Sequence, residues 1–144
     1  MIFLVLSTAC TGLFCGAALY VNLVEHPARM SCGQELAVRE FTPSYRRATI
    51  MQASLAVGGL AFGLIAAWQL HNARVAFGAA AIGSVVPYTL IVMLPTNHQL
   101  EDSALDPRGA KAAGLLRRWN QMHWVRTILS GIGFALLLCS LASH

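Results

Sequence analysis

Four long apolar runs, at residues 2–24, 50–69, 75–94 and 125–142, take up more than half of this 144-residue chain. Each offers the ~17–25 residues that a bilayer-spanning helix needs. A soluble core cannot bury four such runs in so short a chain. Only 11% of the residues are charged, against roughly 25% in a soluble domain, and 56% are hydrophobic. Mean hydropathy is +0.59. The pattern predicts an all-α, four-helix transmembrane bundle, one integral membrane domain over residues 1–144, with short interfacial helices in loops one and three. Residues 2–24 lack the basic start of a cleaved signal, so they are read as a retained span.

The formal charge of +4 follows the loops. Loop one (27–47) carries Arg29, Arg39, Arg46 and Arg47, and loop three (95–122) carries Arg108, Lys111, Arg117 and Arg118. Loop two holds only Arg74. The positive-inside rule then places loops one and three in the cytoplasm and both termini outside. This cause accounts for the charge, so no nucleic-acid partner is expected. Cys10, Cys15, Cys32 and Cys139 form no C-x-x-C pair and read as small packing residues.

Gly12/Gly16 and Gly59/Gly63 give two faces for close helix contact. Pro27 predicts that helix one ends near His26. Ser31-Cys-Gly-Gln34 fits a capping box opening an interfacial helix, with Leu36 and Phe41 against the headgroups. Thr42-Pro43 reads as the N-cap and first residue of helix two, which runs to about Leu70. Pro87 should kink helix three, which is expected to stop at Pro95-Thr-Asn-His98. Asp106-Pro107 repeats the start signal before an amphipathic helix at 110–119 that continues into helix four.

Helix four opens with Trp119, His123 and Arg126 at i, i+4 and i+7, on one stripe. An unpaired charge near the bilayer centre costs roughly 3 kcal/mol or more, so this stripe must face protein, headgroups or a pocket. Helices alternate in direction, so four ends meet at the face of loops one and three. They carry Asn22/Glu25/His26, Tyr45/Arg46/Gln52, Thr96/Asn97/His98 and Trp119/His123/Arg126, whereas the opposite face has His71, Arg74 and His144. This imbalance predicts one polar site at the first face. Structural readings stand beside it. Arg46, Arg47, Arg117 and Arg118 suit interfacial anchors, and Trp68 and Trp124 suit the aromatic belt. Asn97 suits a helix cap, His98 a solvated loop, and Glu25 with Arg126 an ion pair tying helices one and four.

The motifs Gly16-x-x-x-Tyr20-Val-Asn-x-x-Glu-His-Pro-Ala-Arg29, Phe41-x-Pro-x-Tyr-Arg-Arg-Ala48 with Gln52, Pro95-Thr-Asn97 and Trp119-x-x-x-His-x-x-Arg126 form a set. Together they resemble the small integral membrane proteins grouped with fungal anthrone oxygenases, many of whose bacterial members have no assigned function. The resemblance implies a four-helix membrane enzyme that inserts oxygen into an anthrone to give an anthraquinone. The histidine suspected of chemistry in that family maps onto His123, and Asn97 and Glu25/His26 match its other polar motifs.

In that chemistry His123 would be the base, with Arg126 or Asn97 stabilising the developing oxyanion. Trp119 and Tyr45 would stack on a flat, hydrophobic substrate, with Gln52 and Asn22 completing its site. Such a reaction needs either no cofactor or one transition metal. Glu25, His26 and His123 make a 2-His-1-carboxylate set suited to iron, and imidazole also suits copper. Haem between the two histidines is a weaker version. The main non-enzymatic alternative is a quinone- or lipid-binding, or scaffold, subunit of a membrane complex, and the glycine faces also suit a homo-oligomer. A proton-coupled transporter fits less well, because helices two and three carry no ionisable residue at mid-membrane.

Overall fold

The computed structural model describes residues 1–143, so His144 lies outside the described residues. Its helices form four rods: α1 (Ile2–Ser31), α2 (Gln34–Leu70), α3 (Ala73–Glu101) and α4 (Ala110–Ala142). All four are long and apolar enough to cross a membrane, and no strand occurs among the described residues. Each packs chiefly on its sequence neighbours and α4 closes back on α1, leaving little contact across the diagonals. Loops one and three therefore share one face, opposite loop two and the termini.

The interfacial pieces expected in loops one and three are drawn into the long helices. α2 runs for 37 residues, about 55 Å at 1.5 Å per residue, well beyond the ~30 Å hydrocarbon core. It begins at Gln34 rather than at Thr42-Pro43, and Pro43 lies inside it. The chain turns at Gly33, whose φ of 102° is a conformation side chains disfavour. Likewise α4 starts at Ala110 after Gly109, while Asp106 instead closes a turn by accepting from the Arg108 N–H at 3.0 Å.

Neither Pro27 nor Pro95 ends its helix. Each is preceded by a widened π-helical turn, Val21–Glu25 in α1 and Thr89–Met93 in α3, that stops two residues before the proline. A proline ring crowds the carbonyl four residues back and offers it no N–H. The wider turn lets the helix pass this defect, and π-turns of this kind often mark functional sites. α1 thus continues to Ser31 and α3 to Glu101.

The outer surface is apolar, with Ile50, Trp68, Phe77 and Ile91 each at least 70% exposed, as lipid contact requires. Towards the loop-two face the interior is plain, with Leu4, Ala66, Val75 and Leu137 packed together. Gly63 holds α2 close to α3, since a Cβ there would come within 2.6 Å of the Ala79 Cβ. Gly16, expected to share such a role with Gly12, faces no atom within 4 Å. At the other face the helix extensions bury Phe41, Met93, Leu100, Leu116 and Trp119. Phe41, expected among headgroups, is fully buried; Leu36 beside it is exposed. The continuous α2 turns Phe41 inward, onto Trp119.

Candidate functional site

The site lies just beneath this capped face. Trp119, His123 and Arg126 project inward from α4, and all three are buried. The indole of Trp119 packs on two imidazoles, 5.6 Å from His26 and 4.8 Å from His123, centroid to centroid. Phe41 meets its edge at 5.4 Å and stacks in turn on Tyr45 at 5.5 Å. Aromatic packing of this kind fixes ring planes to a degree that isolated side chains cannot match.

His123 is oriented from α1. Its Nδ1 lies 2.8 Å from the Asn22 side-chain oxygen, which also accepts from the Thr127 hydroxyl at 2.6 Å. The Asn22 amide donates to Asn120 at 3.0 Å. With that oxygen purely an acceptor, Nδ1 carries the proton and Nε2 is left as the basic nitrogen. The widened turn at Val21–Glu25 contains Asn22 and sets its side chain into the bundle.

Arg126 has a different environment. Its Nη2 donates to the Gln52 side-chain oxygen at 2.6 Å and its guanidinium lies over the Phe14 ring at 5.4 Å. Its Nε is buried with no partner, and no carboxylate pairs with it among the described residues. The expected Glu25–Arg126 ion pair is absent because Glu25 is held by Arg29, one helical turn on, and by Ser44 at 2.7 Å. Arg29 is itself buried, pairs with Glu40 at 2.8 Å and lies 5.9 Å from the Trp119 ring.

Two cavities meet at Arg126. An inner chamber of about 30 Å³ is lined by Tyr45, Thr49, Gln52, Trp119, His123 and Arg126, with Glu25, Arg29 and Ser44 at its polar rim. This is room for small molecules such as water or dioxygen. A larger slot of about 100 Å³ lies between α2 and α3, walled by Phe14, Ala53, Ala56, Val85, Val86 and Leu90, and shares Tyr45, Thr49, Gln52 and Arg126 with the chamber.

The bundle therefore brings together His123, Arg126, Trp119, Tyr45 and Gln52. Asn22 and Asn97 stand behind the wall rather than on it. Asn97 is fully buried and donates to the Tyr45 hydroxyl at 3.0 Å. His98 is exposed, and Arg46 points away to pair with Glu101 at 3.1 Å. The expected metal set of Glu25, His26 and His123 is not assembled. No three His, Cys, Asp or Glu side chains form a metal-holding group among the described residues; Arg29 engages Glu25, and both histidines pack on Trp119. Sequence reasoning missed Arg29, Ser44 and Thr127. Glu25/Arg29 and His123/Thr127 are i, i+4 pairs, but the first was hidden by the assumption that Pro27 ends the helix.

A family model described as anthrone oxygenase matches residues 41–136, two thirds of the chain. The chain belongs to the anthrone oxygenase family. No curated protein and no solved structure matches it. The family match covers Tyr45, Gln52, Asn97, Trp119, His123 and Arg126, whereas the α1 residues that orient and surround them precede the matched segment.

Proposed function

We propose that this protein is a membrane oxygenase acting on a hydrophobic, anthrone-type aromatic molecule, with His123 as general base and Arg126 as oxyanion anchor. The observation that carries the reading is the pairing of a tautomer-fixed imidazole with an unpaired guanidinium at one cavity. The charge bias of loops one and three supports a cytoplasmic position for this face.

The reaction balances as one anthrone and one dioxygen giving one anthraquinone and one water. His123 Nε2 removes a proton from the carbon flanked by the aromatic rings. The electron pair delocalises onto the ketone oxygen, and Arg126 holds the resulting enolate. This electron-rich anion passes an electron to dioxygen, and the two radicals join in a new C–O bond. The peroxide takes the proton back from His123. Loss of the second C–H proton then breaks the O–O bond, forms the second carbonyl and releases water. Tyr45, which lines both cavities, keeps the ring plane fixed, Trp119 packs on His123 and holds the base in place, and Asn97 acts through Tyr45 as a positioning residue.

The test is oxygen uptake and anthraquinone formation by the purified protein in lipid nanodiscs supplied with anthrone. Turnover above the spontaneous rate is expected, falling about 10²–10⁴-fold in His123→Ala. Wild-type protein that leaves the spontaneous rate unchanged rejects the assignment.

A further inference from the structure

The α2–α3 slot has a second property, beyond its place beside His123. Its rim residues Thr49, Ala53 and Leu90 are exposed; Ala53 and Leu90 lie within the apolar runs, where exposure means contact with lipid tails, and Thr49 borders one of them. On the water side the same interhelical gap is latched twice, by Tyr45 with Asn97 and by Arg46 with Glu101. Above these, Gln34 on α2 donates to the carbonyls of Pro107 and Gly109, each at 2.9 Å, and ties loop three down as a cover. The gap is thus shut towards water and open towards the bilayer. At its inner end stands Arg126, nine-tenths buried, with an unpartnered Nε and no counter-ion among the described residues.

From this geometry we propose that the slot is a lipid-facing binding subsite, which admits the acidic phenolic or enolic end of a flat, lipid-soluble molecule sideways from the membrane and anchors its ionised oxygen on Arg126. The proposal rests on the oxygenase reading for the kind of ligand, but not for the route. A volume of about 100 Å³ is smaller than the ~150 Å³ cavity that encloses a single benzene. Three fused rings do not fit inside. Only the reactive end enters, and the remainder of the molecule stays between α2 and α3 among the acyl chains. A buried cation without a counter-ion is costly in a membrane, so a ligand anion relieves that cost and binds where a neutral molecule of the same shape binds weakly.

The probe is alizarin, a flat hydroxyanthraquinone whose absorption moves to longer wavelength when its phenol ionises. It is titrated into the full-length protein in lipid nanodiscs. Saturable binding with the long-wavelength spectrum is expected at a pH where the dye in empty nanodiscs remains neutral. Ala53→Trp, placed on the lipid-facing rim, should weaken binding about tenfold or more. Ile128→Trp, on a lipid-facing part of α4 outside both cavities, should have no effect. Arg126→Gln should abolish the long-wavelength spectrum. Unchanged binding in Ala53→Trp, an unchanged spectrum in Arg126→Gln, or no saturable binding by the wild type would each overturn the proposal. Dye binding as described, without anthrone turnover, sinks the oxygenase reading and leaves the subsite standing. Full anthrone turnover in Ala53→Trp does the reverse.

Discussion

His123 and Asn22 stand 101 residues apart in sequence, yet their side chains meet at 2.8 Å across the α1–α4 interface. The contact decides which imidazole nitrogen is basic, and so whether the ring can take a proton from a ligand in the chamber. Asn22→Leu should therefore lower kcat by about tenfold or more with little change in KM, as expected when a base loses its orienting partner. Orphaning His123 Nδ1, while the Thr127 hydroxyl keeps only its 3.3 Å bond to the His123 carbonyl, should also cost about 1–3 kcal/mol in stability. Steady-state oxygen uptake and thermal unfolding in detergent measure the two effects. A rise in KM alone would show that Asn22 touches substrate instead.

The Gln52–Arg126 contact gives a second expectation. Gln52→Leu removes the one hydrogen bond made by the buried guanidinium and should destabilise the protein by about 1.5–3 kcal/mol. Adding Arg126→Met to that variant should restore much of the loss, because the uncompensated charge goes with it. Activity should be lost in the double variant, which lacks the oxyanion anchor. Unfolding midpoints of the two single variants and the double variant test this, and strict additivity would contradict it.

Arg29 ties α1 to α2 through Glu25, Glu40 and Ser44. Removing one partner of a buried pair costs about 3–5 kcal/mol, and the half-exposed carboxylates here place Arg29→Met towards the lower figure. Glu40→Gln should cost under about 1 kcal/mol, because that side chain is 40% exposed. Thermal unfolding should rank the two variants in that order.

Gly63→Val should destabilise by about 1–3 kcal/mol, because its side chain would meet both the Ala79 Cβ and the Ser7 Oγ, at 2.6 and 2.8 Å. Gly16→Ala should stay within about 0.5 kcal/mol of wild type, since nothing lies near it. Equal effects of the two substitutions in an unfolding assay would contradict this account of how the bundle packs.

The four spans and the face that holds the site were legible in the sequence because each rests on strong, one-dimensional signals, apolar length and the clustering of polar residues at alternate ends. The helix ends were not. Pro27, Pro43 and Pro95 each read as a boundary, yet all three lie within continuous rods. Local backbone preference was overridden there by packing of the extensions on Phe41, Trp119 and Leu116. The grouping of His123 with Arg126 and Trp119 followed from helical spacing alone. The partners of these residues did not, because which of two carboxylates or amides meets a given cation depends on rotation between helices, and no periodicity encodes that. Glu25 illustrates the point. Its nearest cation is Arg29 on its own helix, and the distant Arg126 is left with an amide.

Closure of α4 onto α1 also bears on how the protein is made. Asn22 enters the membrane long before the ribosome has produced His123 and Thr127, the residues that satisfy its carboxamide oxygen. Until the last helix is threaded in, the nascent first helix carries an exposed amide in hydrocarbon. A chain interrupted after α3 thus lacks the two groups that satisfy this oxygen, and its first helix keeps a polar flaw that only α4 can cover.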